Sequence, residues 1–263
     1  MIFINEQWQG CGVKDRLVYG INTFREYFKE SEQREVPVSD EGIETVDNVI
    51  GLKPLVHQLG LFHQMVEESR PEKISMVAGD CGAEIIPVSY LNKLYSGDMA
   101  LLWIDAHADL NTPESSPSKT FHGMPLRILL GEGHPALKAL LFSQIKVSQV
   151  CYFGLRELDE PEREFIERNQ MVAVSESQME ALKAAMGNFK NVYIHLDLDV
   201  FDPTEFPHTM FPTPGGPSVA RVWHVIDEVR RNHNVVGFCI TESTASDVSQ
   251  LEPIKHILAK LEL

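Results

Sequence analysis

Two acidic motifs contain the residues whose types and spacing could do chemistry. In the first, Asp105, His107 and Asp109 occupy alternate positions directly after an apolar run. Alternate side chains of an extended chain point to the same side, which would gather two carboxylates and an imidazole there. In the second motif, Asp197 and Asp199 close the apolar run YIHLDLD. If the two runs are neighbouring strands, all four carboxylates lie close together.

Carboxylates crowded in this way repel one another, and their pKa values rise unless cations lie between them. We therefore interpret the two motifs as a dinuclear metal site. A donor set rich in carboxylates and poor in imidazoles favours Mn²⁺ or Mg²⁺-like ions over a structural zinc ion. The alternative is that these residues cap helices or lie solvated in loops, and it would suit a single D-x-D better than this pair of motifs.

The elements that must position these motifs alternate between strands and helices. The strands are almost continuous apolar runs, which is typical of a parallel sheet covered on both faces, and polar clusters follow their carboxyl ends. We predict a single α/β domain over residues 1–263, with residues 31–42 as an exposed excursion. The predicted strands are 1–4, 73–78, 99–104, 147–153, 171–174, 191–198 and 234–240, and the predicted helices are 21–29, 52–69, 87–95, 126–130, 135–142, 160–169, 176–186, 217–232 and 251–261.

Composition limits the classes of partner. The net charge of −15 argues against nucleic acid or an anionic membrane as a partner and is compatible with a small cationic substrate. The four cysteines form no C-x-x-C pair, and no apolar stretch is long enough to span a bilayer or to act as a signal peptide. These features predict a reduced, cytoplasmic protein.

Four sequence segments together resemble the ureohydrolase superfamily, which comprises arginase, agmatinase and formimidoylglutamase. The segments are DAHADLNTP (105–113), FGLRELD (153–159), HLDLDVFDP (195–203) and ITES around Glu242. The first segment looks like the arginase form of the family motif. The resemblance implies a three-layer α/β/α fold with a mostly eight-stranded parallel sheet, and it implies a homo-oligomer, either a trimer or a hexamer.

The resemblance also implies a mechanism. In that superfamily a pair of Mn²⁺ ions activates a bridging water for attack on a guanidinium carbon. By resemblance, Asp105 and Asp197 would bridge the two ions, Asp109 would complete one site, and His107 and Asp199 would complete the other. Two cations lower the pKa of a shared water and hold it against a poor electrophile. Asp109 could also accept a proton as the tetrahedral intermediate collapses.

Further positions match those that contact the substrate in the family. His122 matches a histidine that shuttles protons at the mouth of the site, and Glu242 matches the residue that pairs with the guanidinium group. The remaining matches favour L-arginine over agmatine. They are Asn111 and Ser118 for the α-carboxylate and Asp159 for the α-amino group. Thr120 stands where arginases usually carry asparagine, which would alter one contact with the carboxylate.

Two positions depart from the family pattern. Cys81 stands where the family usually carries a histidine that ligates the first metal ion. The thiol could ligate and favour a softer ion such as Zn²⁺, Fe²⁺ or Co²⁺, it could leave that site weak, or the protein could hold one ion only. It could also be a buried small hydrophobe. Phe211 replaces a threonine that supports the guanidinium-binding glutamate.

The principal hypothesis is hydrolysis of L-arginine to urea and L-ornithine by a metal-bridged hydroxide. Another hydrolase of C–N bonds on the same fold is the first alternative: an agmatinase, a formimidoylglutamase or a single-metal, deacetylase-like enzyme. A catalytically weak homologue is the second alternative, and Cys81 and Phe211 are the residues that favour it.

Overall fold

The computed structural model describes residues 1–174 and 178–263. Eight parallel strands form the central sheet, as predicted, and a separate antiparallel hairpin lies outside it. The strands are β1 (Ile2–Asn5), β2 (Gln33–Glu35), β3 (Thr45–Val46), β4 (Val49–Ile50), β5 (Ile74–Ala78), β6 (Met99–Ile104), β7 (Val150–Phe153), β8 (Val172–Val174), β9 (Asn191–Asp197) and β10 (Asn234–Thr241). The order in the sheet is β2-β1-β5-β10-β9-β6-β7-β8, and the hairpin joins β3 to β4.

Helices cover both faces of the sheet. They are α1 (Lys14–Tyr27), α2 (Leu52–Ser69), α3 (Ile85–Leu94), α4 (Pro125–Leu129), α5 (Pro135–Lys138), α6 (Glu160–Arg168), α7 (Met179–Met186), α8 (Val219–Asn232) and α9 (Lys255–Leu258). Alternate residues of β6 enter two different hydrophobic clusters, with Leu101 and Trp103 in one and Leu102 and Ile104 in the other. Central strands are therefore buried on both faces, which explains their continuous apolar sequence. In the described part of the chain, no helix is long and apolar enough to cross a membrane.

Several predicted boundaries were wrong. The segment 31–42 contains β2, a three-residue edge strand paired with β1, and its polar sequence reflects the half-exposed edge of the sheet. Helix α1 begins at Lys14, seven residues before the predicted start at 21. Helix α5 ends at Lys138 instead of continuing to 142. The start of the helix predicted at 176–186 lies outside the described residues, and α7 begins at Met179.

The carboxyl terminus also differs from its prediction. A 3₁₀ helix spans Val248–Ile254 and contains Pro253, and only the short α9 follows it. Proline removes a backbone donor and disfavours α-helical geometry in the residue before it, which interrupts the single helix predicted for 251–261.

The sheet order determines which loops meet. Strand β6 pairs with β9 so that Ile104 lies beside Leu196, and β10 pairs with both β9 and β5. The four strands are parallel, and their carboxyl ends therefore deliver the following loops to one edge of the sheet. Those loops contain both acidic motifs, Cys81 and Glu242.

Candidate metal and substrate site

The two acidic motifs meet at the carboxyl ends of β6 and β9, as the sequence predicts. A hydrogen bond joins them, because Asp199 Oδ1 accepts from the Ala106 amide at 3.2 Å. Within the second motif, Asp197 Oδ1 accepts from the Asp199 amide at 2.8 Å. The His107 ring lies beside the second motif, with Nδ1 2.9 Å from Asp199 Oδ2. Asp105, Asp197 and Asp199 are each almost completely buried.

The backbone of the first motif is not the extended segment on which the sequence argument relied. Strand β6 ends at Ile104, and Asp109 adopts a left-handed φ of 54°. The chain turns first at Asp105, whose Oδ1 accepts from the His107 amide at 2.7 Å. The side chains of the motif therefore converge because the loop turns, and the left-handed conformation of Asp109 is part of that turn.

Loops after β5 and β10 supply Cys81 and Glu242. The Cys81 thiol donates to Asp197 Oδ2 at 3.2 Å and lies 3.9 Å from Glu242 Oε1. Glu242 also has a left-handed φ, of 62°, and its amide donates to the Gly79 carbonyl at 2.9 Å. His122 Nδ1 lies 3.3 Å from Glu242 Oε1, so the predicted histidine and glutamate do meet.

Burial and mutual repulsion govern the protonation of the carboxylates. Burial, followed by the Asp105 charge, raises the pKa of Asp109 well above its usual range and that of Asp199 to about 6. Burial and the neighbouring Asp199 charge likewise raise the pKa of Asp197. Burial alone would also raise the pKa of Asp105, but hydrogen bonds from His107 and a second histidine lower it below its usual value.

The imidazoles respond to the same carboxylates. Burial alone would lower the pKa of His107, but hydrogen bonds to Asp105 and Asp199 outweigh it and raise that pKa to about 12. Burial opposes protonation of His122 as well, and its hydrogen bond to Glu242 raises the pKa of the ring. The negative potential of the site therefore favours positive charge at each position it surrounds.

Two buried carboxylate oxygens of the site indicate that it binds a cation. Asp109 Oδ2 and Glu242 Oε2 are buried, and neither has a hydrogen-bond partner among the described residues. Such orphaned acceptors are rare because they cost free energy unless a cation or donor satisfies them. The donor set of carboxylates with one thiol and imidazole nitrogens fits divalent ions.

The potential ligand atoms of the described residues form three groups, two of which share Asp105. In each group these atoms all lie within 4.8 Å of one another. The two groups that share Asp105 consist of Asp105, His107 and Asp199, and of Asp105, Asp109, Cys81 and His195. The third group consists of Cys81, Asp197 and Glu242.

A cavity of about 450 Å³ opens above this cluster, a size that suits a small-molecule site. Four of the five residues expected to bind substrate line it: Asn111, Ser118, Thr120 and Asp159. The fifth, Glu242, is wholly buried and is not part of the lining. Asn111 Nδ2 donates to Asp159 Oδ2 at 2.8 Å, and the hydroxyls of Ser118 and Thr120 lie 2.6 Å apart. Phe211 lies at the mouth, with its ring 5.1 Å from that of His122.

The sequence analysis missed His195. This wholly buried residue stacks on Trp103 with ring centroids 3.5 Å apart, and its Nε2 lies 3.4 Å from Asp105 Oδ2. Its Nδ1 lies 2.5 Å from Glu84 Oε1. Burial alone would lower the pKa of His195, but Glu84 and Asp105 raise it to about 10. The signal was available, since strand alternation puts residue 195 on the same face as Asp197.

Comparison with known proteins agrees with this fold and motif set. Residues 25–250 match the sequence profile of the arginase family. The chain is 34% identical to an arginase of Staphylococcus aureus (strain COL) in an alignment of 180 residues that covers 64% of this chain and 59% of that protein. It is 31% identical to an arginase of Bacillus subtilis in an alignment of 237 residues that covers 84% of this chain and 74% of that protein.

Solved structures share the fold at lower identity. The arginase of Entamoeba histolytica in complex with L-ornithine has a TM-score of 0.88 at 19% identity and covers 100% of this chain and 97% of that one. A Bacillus subtilis arginase has a TM-score of 0.80 at 24% identity, with 100% and 99% coverage. The formimidoylglutamase of Bacillus subtilis has a TM-score of 0.71 at 16% identity, with 93% and 80% coverage. This chain therefore belongs to the arginase family.

Proposed function

We propose that this protein hydrolyses a guanidino C–N bond with divalent metal ions, converting L-arginine to urea and L-ornithine. The observation that carries the proposal is the convergence of four buried carboxylates beneath a cavity whose rim bears Asn111, Ser118 and Asp159. Membership of the arginase family supports the same reaction class. Because the match spans only 59% of the Staphylococcus aureus arginase, the activity itself is a proposal for this chain.

The two ligand groups that share Asp105 support a pair of ions over a single one. Asp105 and Asp197 would help to hold both ions, His107 and Asp199 would hold one of them, and Asp109 would hold the other. When bound, two divalent ions lower the pKa of a water molecule and fix its position for attack. Manganese is the ion that family membership favours for the carboxylate-rich side.

The side chains around the ions would handle the substrate and its protons. Glu242 Oε2, buried and without a described partner, can pair with the guanidinium group as a charge-assisted hydrogen bond. Asp109 Oδ2 is equally free, and the raised pKa of this carboxyl suits acceptance of a proton from the attacking water. His122 lines the cavity, and its raised pKa favours the protonated ring, which would supply the leaving amine with a proton.

Substrate choice depends on the rim of the cavity. Asn111 and Ser118 carry donors suited to an α-carboxylate, and Asp159 carries the negative charge suited to an α-amino group. Agmatine lacks the α-carboxylate, so these two donors support L-arginine as the substrate. For the Entamoeba histolytica arginase, the complex contains L-ornithine, the amino acid that the proposed reaction would release.

A substrate panel tests the proposal. Protein reconstituted with Mn²⁺, and in parallel with Co²⁺, would be assayed with L-arginine, agmatine and formimidoylglutamate, with product identified by mass spectrometry. We expect urea and ornithine from L-arginine at the highest kcat/KM. Preference for agmatine or formimidoylglutamate would establish the alternative hydrolase. No product from any of the three substrates would favour the catalytically weak homologue.

Ser118→Ala sharpens the choice between arginine and agmatine. A hydrogen bond to a charged group contributes about 1.5–3 kcal/mol when buried, and Ser118 lies at a partly exposed rim. We therefore expect kcat/KM for arginine to fall several-fold while that for agmatine is unchanged. An equal fall for both substrates would remove Ser118 from carboxylate recognition.

We also propose a homo-oligomer, a trimer or a hexamer, and a cytoplasmic location, both from the family resemblance. Light scattering of the purified chain measures the first, and fractionation of the source cells measures the second. A monomeric mass in solution would contradict the expected assembly.

A further inference from the structure

We infer that His195 is a metal ligand: its Nε2 supplies the imidazole for the ion beside Cys81, and Glu84 orients the ring. The inference deepens the proposed function, because both require a metal ion at this site. Nε2 of His195 lies 3.4 Å from Asp105 Oδ2, and it belongs to the group of ligand atoms that includes Cys81 and Asp109.

The sheet fixes this position. His195 lies on β9 two residues before Asp197, and its register partner on β6 is Trp103, two residues before Asp105. Both pairs therefore point to the same face of the sheet. The indole of Trp103 stacks on the imidazole at 3.5 Å and donates from Nε1 to Asp105 Oδ2 at 3.0 Å. The ring is thus held against the carboxylate expected to bridge the ions.

Glu84 completes the arrangement from behind. Its Oε1 lies 2.5 Å from His195 Nδ1, and both residues are wholly buried. Metal-bound histidines usually donate their second ring N–H to a carboxylate or carbonyl, which fixes the tautomer and leaves the other nitrogen free for the ion. Glu84 therefore assigns Nε2 to the metal side. Apolar side chains of similar volume often stabilise a core as well as a buried ion pair does, so packing alone does not require an imidazole between two buried carboxylates.

The role of His195 also explains how the site can carry a cysteine at position 81. The 3₁₀ helix that begins at Cys81 ends at Glu84, so one short segment supplies both the thiol and the orienting carboxylate. The chain lacks the histidine expected at 81 and brings an imidazole to the same ion from β9, which lies two strands from β5 in the sheet. The asymmetry of the two ligand groups follows from this exchange.

The donor set specifies the class of ion. One sulfur, one nitrogen and the carboxylates Asp105 and Asp109 form a mixed set that favours Zn²⁺, Co²⁺ or Fe²⁺ over Mn²⁺. On the other side, His107 and its carboxylates suit Mn²⁺. The site accordingly holds two unlike ions when both are available. The Cys81 thiol, which donates to Asp197 here, loses its proton as the ion binds.

Cobalt titration of the full chain tests the inference. Co²⁺ bound to a thiolate gives a sulfur-to-metal charge-transfer band, which reports the Cys81 site directly. The variants are His195→Asn and Glu84→Gln, with His107→Asn as the matched control in the other ligand group. Circular dichroism verifies that each variant keeps its fold.

We expect His195→Asn to lower the affinity for the ion that gives the band by at least 10-fold. We expect Glu84→Gln to lower the same affinity by about 10–100-fold. His107→Asn should leave the band, and the affinity for the ion that gives it, unchanged. The same variant should lower the affinity for the second ion. Unchanged affinity and an unchanged band in His195→Asn would overturn the assignment.

Wild-type protein provides a measurement that does not depend on folding of a variant. X-ray absorption of the fully cobalt-loaded chain should count two imidazoles per chain, whereas a single imidazole would overturn the inference. These readouts are independent of turnover. If cobalt binding depends on His195 but no guanidino substrate is cleaved, the proposed function is rejected and the assignment of His195 as a metal ligand stands. If the protein releases urea but the band is the same in His195→Asn as in the wild type, His195 is not a ligand and the proposed function stands. A wild-type chain that binds no cobalt would reject both.

Discussion

At the scale of single residues, backbone strain and unmet hydrogen bonds fall on the same two carboxylates. Asp109 and Glu242 have φ values of 54° and 62°, in a region that residues with a Cβ seldom adopt. Tertiary hydrogen bonds hold both, since the Asp109 carbonyl accepts from Leu126 and the Glu242 amide donates to Gly79. Each also carries a buried oxygen without a described partner. Such costs persist where the surrounding structure imposes them, commonly at reactive sites.

Glu242→Gln tests the residue that we expect to bind the guanidinium group. Loss of one partner from a buried charge pair costs about 2–5 kcal/mol, which corresponds to a fall in kcat/KM for arginine of about 30-fold to several thousand-fold. Metal content should not change, because the glutamate pairs with the substrate. Steady-state urea assays with elemental analysis measure both quantities.

The matched control is Glu157→Gln, an exposed position on the same side of the sheet, and its kinetics should equal those of the wild type. Near-normal kcat/KM in Glu242→Gln would show that the guanidinium group binds elsewhere.

The sequence predicts site residues that form a motif of recognisable type and spacing, but it does not reveal a site residue that stands outside such a motif. Asp105, His107 and Asp109 are recognisable by type and spacing, and the structure brings them together. His195 escaped notice because a single histidine in an apolar strand has no distinctive spacing. Its partner Glu84 is more than a hundred residues away in the chain, and only the pairing of strands brings the two into contact.

At the scale of elements, the pairing of β6 with β9 creates the site. The apolar runs predicted both strands, and the need to bring the acidic motifs together predicted their adjacency. The edge strand β2 and the β3–β4 hairpin were missed, because strands of two or three residues are too short to show the continuous apolar run of a buried strand. Strand length and edge position, and not composition, govern those elements.

Gly79 supports the close approach of β5 and the segment after β1. A Cβ at this position would lie 2.1 Å from the Gln7 carbonyl oxygen, so Gly79→Ala must displace backbone. We expect the free energy of unfolding to fall by about 1–3 kcal/mol or more. Activity should also fall, because the Gly79 carbonyl accepts from the Glu242 amide. Urea denaturation and kinetics measure the two effects.

Gly42→Ala is the matched control, since a Cβ at that exposed glycine meets nothing within 4 Å. Equal stability of the two alanine variants would contradict the steric role assigned to Gly79.

At the scale of the whole molecule, charge dominates. The chain carries 38 acidic and 23 basic residues, and several of the acidic residues converge on one buried site. Without cations that convergence opposes folding through repulsion and desolvation, and with cations the same residues bind ions and stabilise the fold. Sequence composition reveals the excess of charge, whereas its concentration at one edge of the sheet depends on the strand order.

The pH dependence of the metal-free protein follows from this convergence. Burial, with the Asp105 charge, raises the pKa of Asp199 to about 6, and burial, with the Glu242 charge, raises that of Asp80 to about 7. The usual pKa of both groups is 3.8. The folded state therefore binds more protons, so the stability from these groups is full below about pH 4 and is lost as pH rises through 6 and 7.

We expect Tm of the chelator-treated protein to fall between pH 5 and pH 8, and added Mn²⁺ to raise it most at the higher pH. Calorimetry at both values measures this difference. A Tm that rises with pH in the metal-free protein would contradict the electrostatic account.

The most direct test of a metal-dependent guanidino hydrolase is to measure bound metal and urea release together for the wild type and Asp197→Ala. We predict two divalent ions per wild-type chain and release of urea from L-arginine. In the variant we predict loss of metal and of activity with the fold retained, because Asp197 lies at the end of β9 and its carboxylate faces the cluster. Unchanged turnover in Asp197→Ala, or urea release by wild-type protein stripped of all metal, would contradict the account.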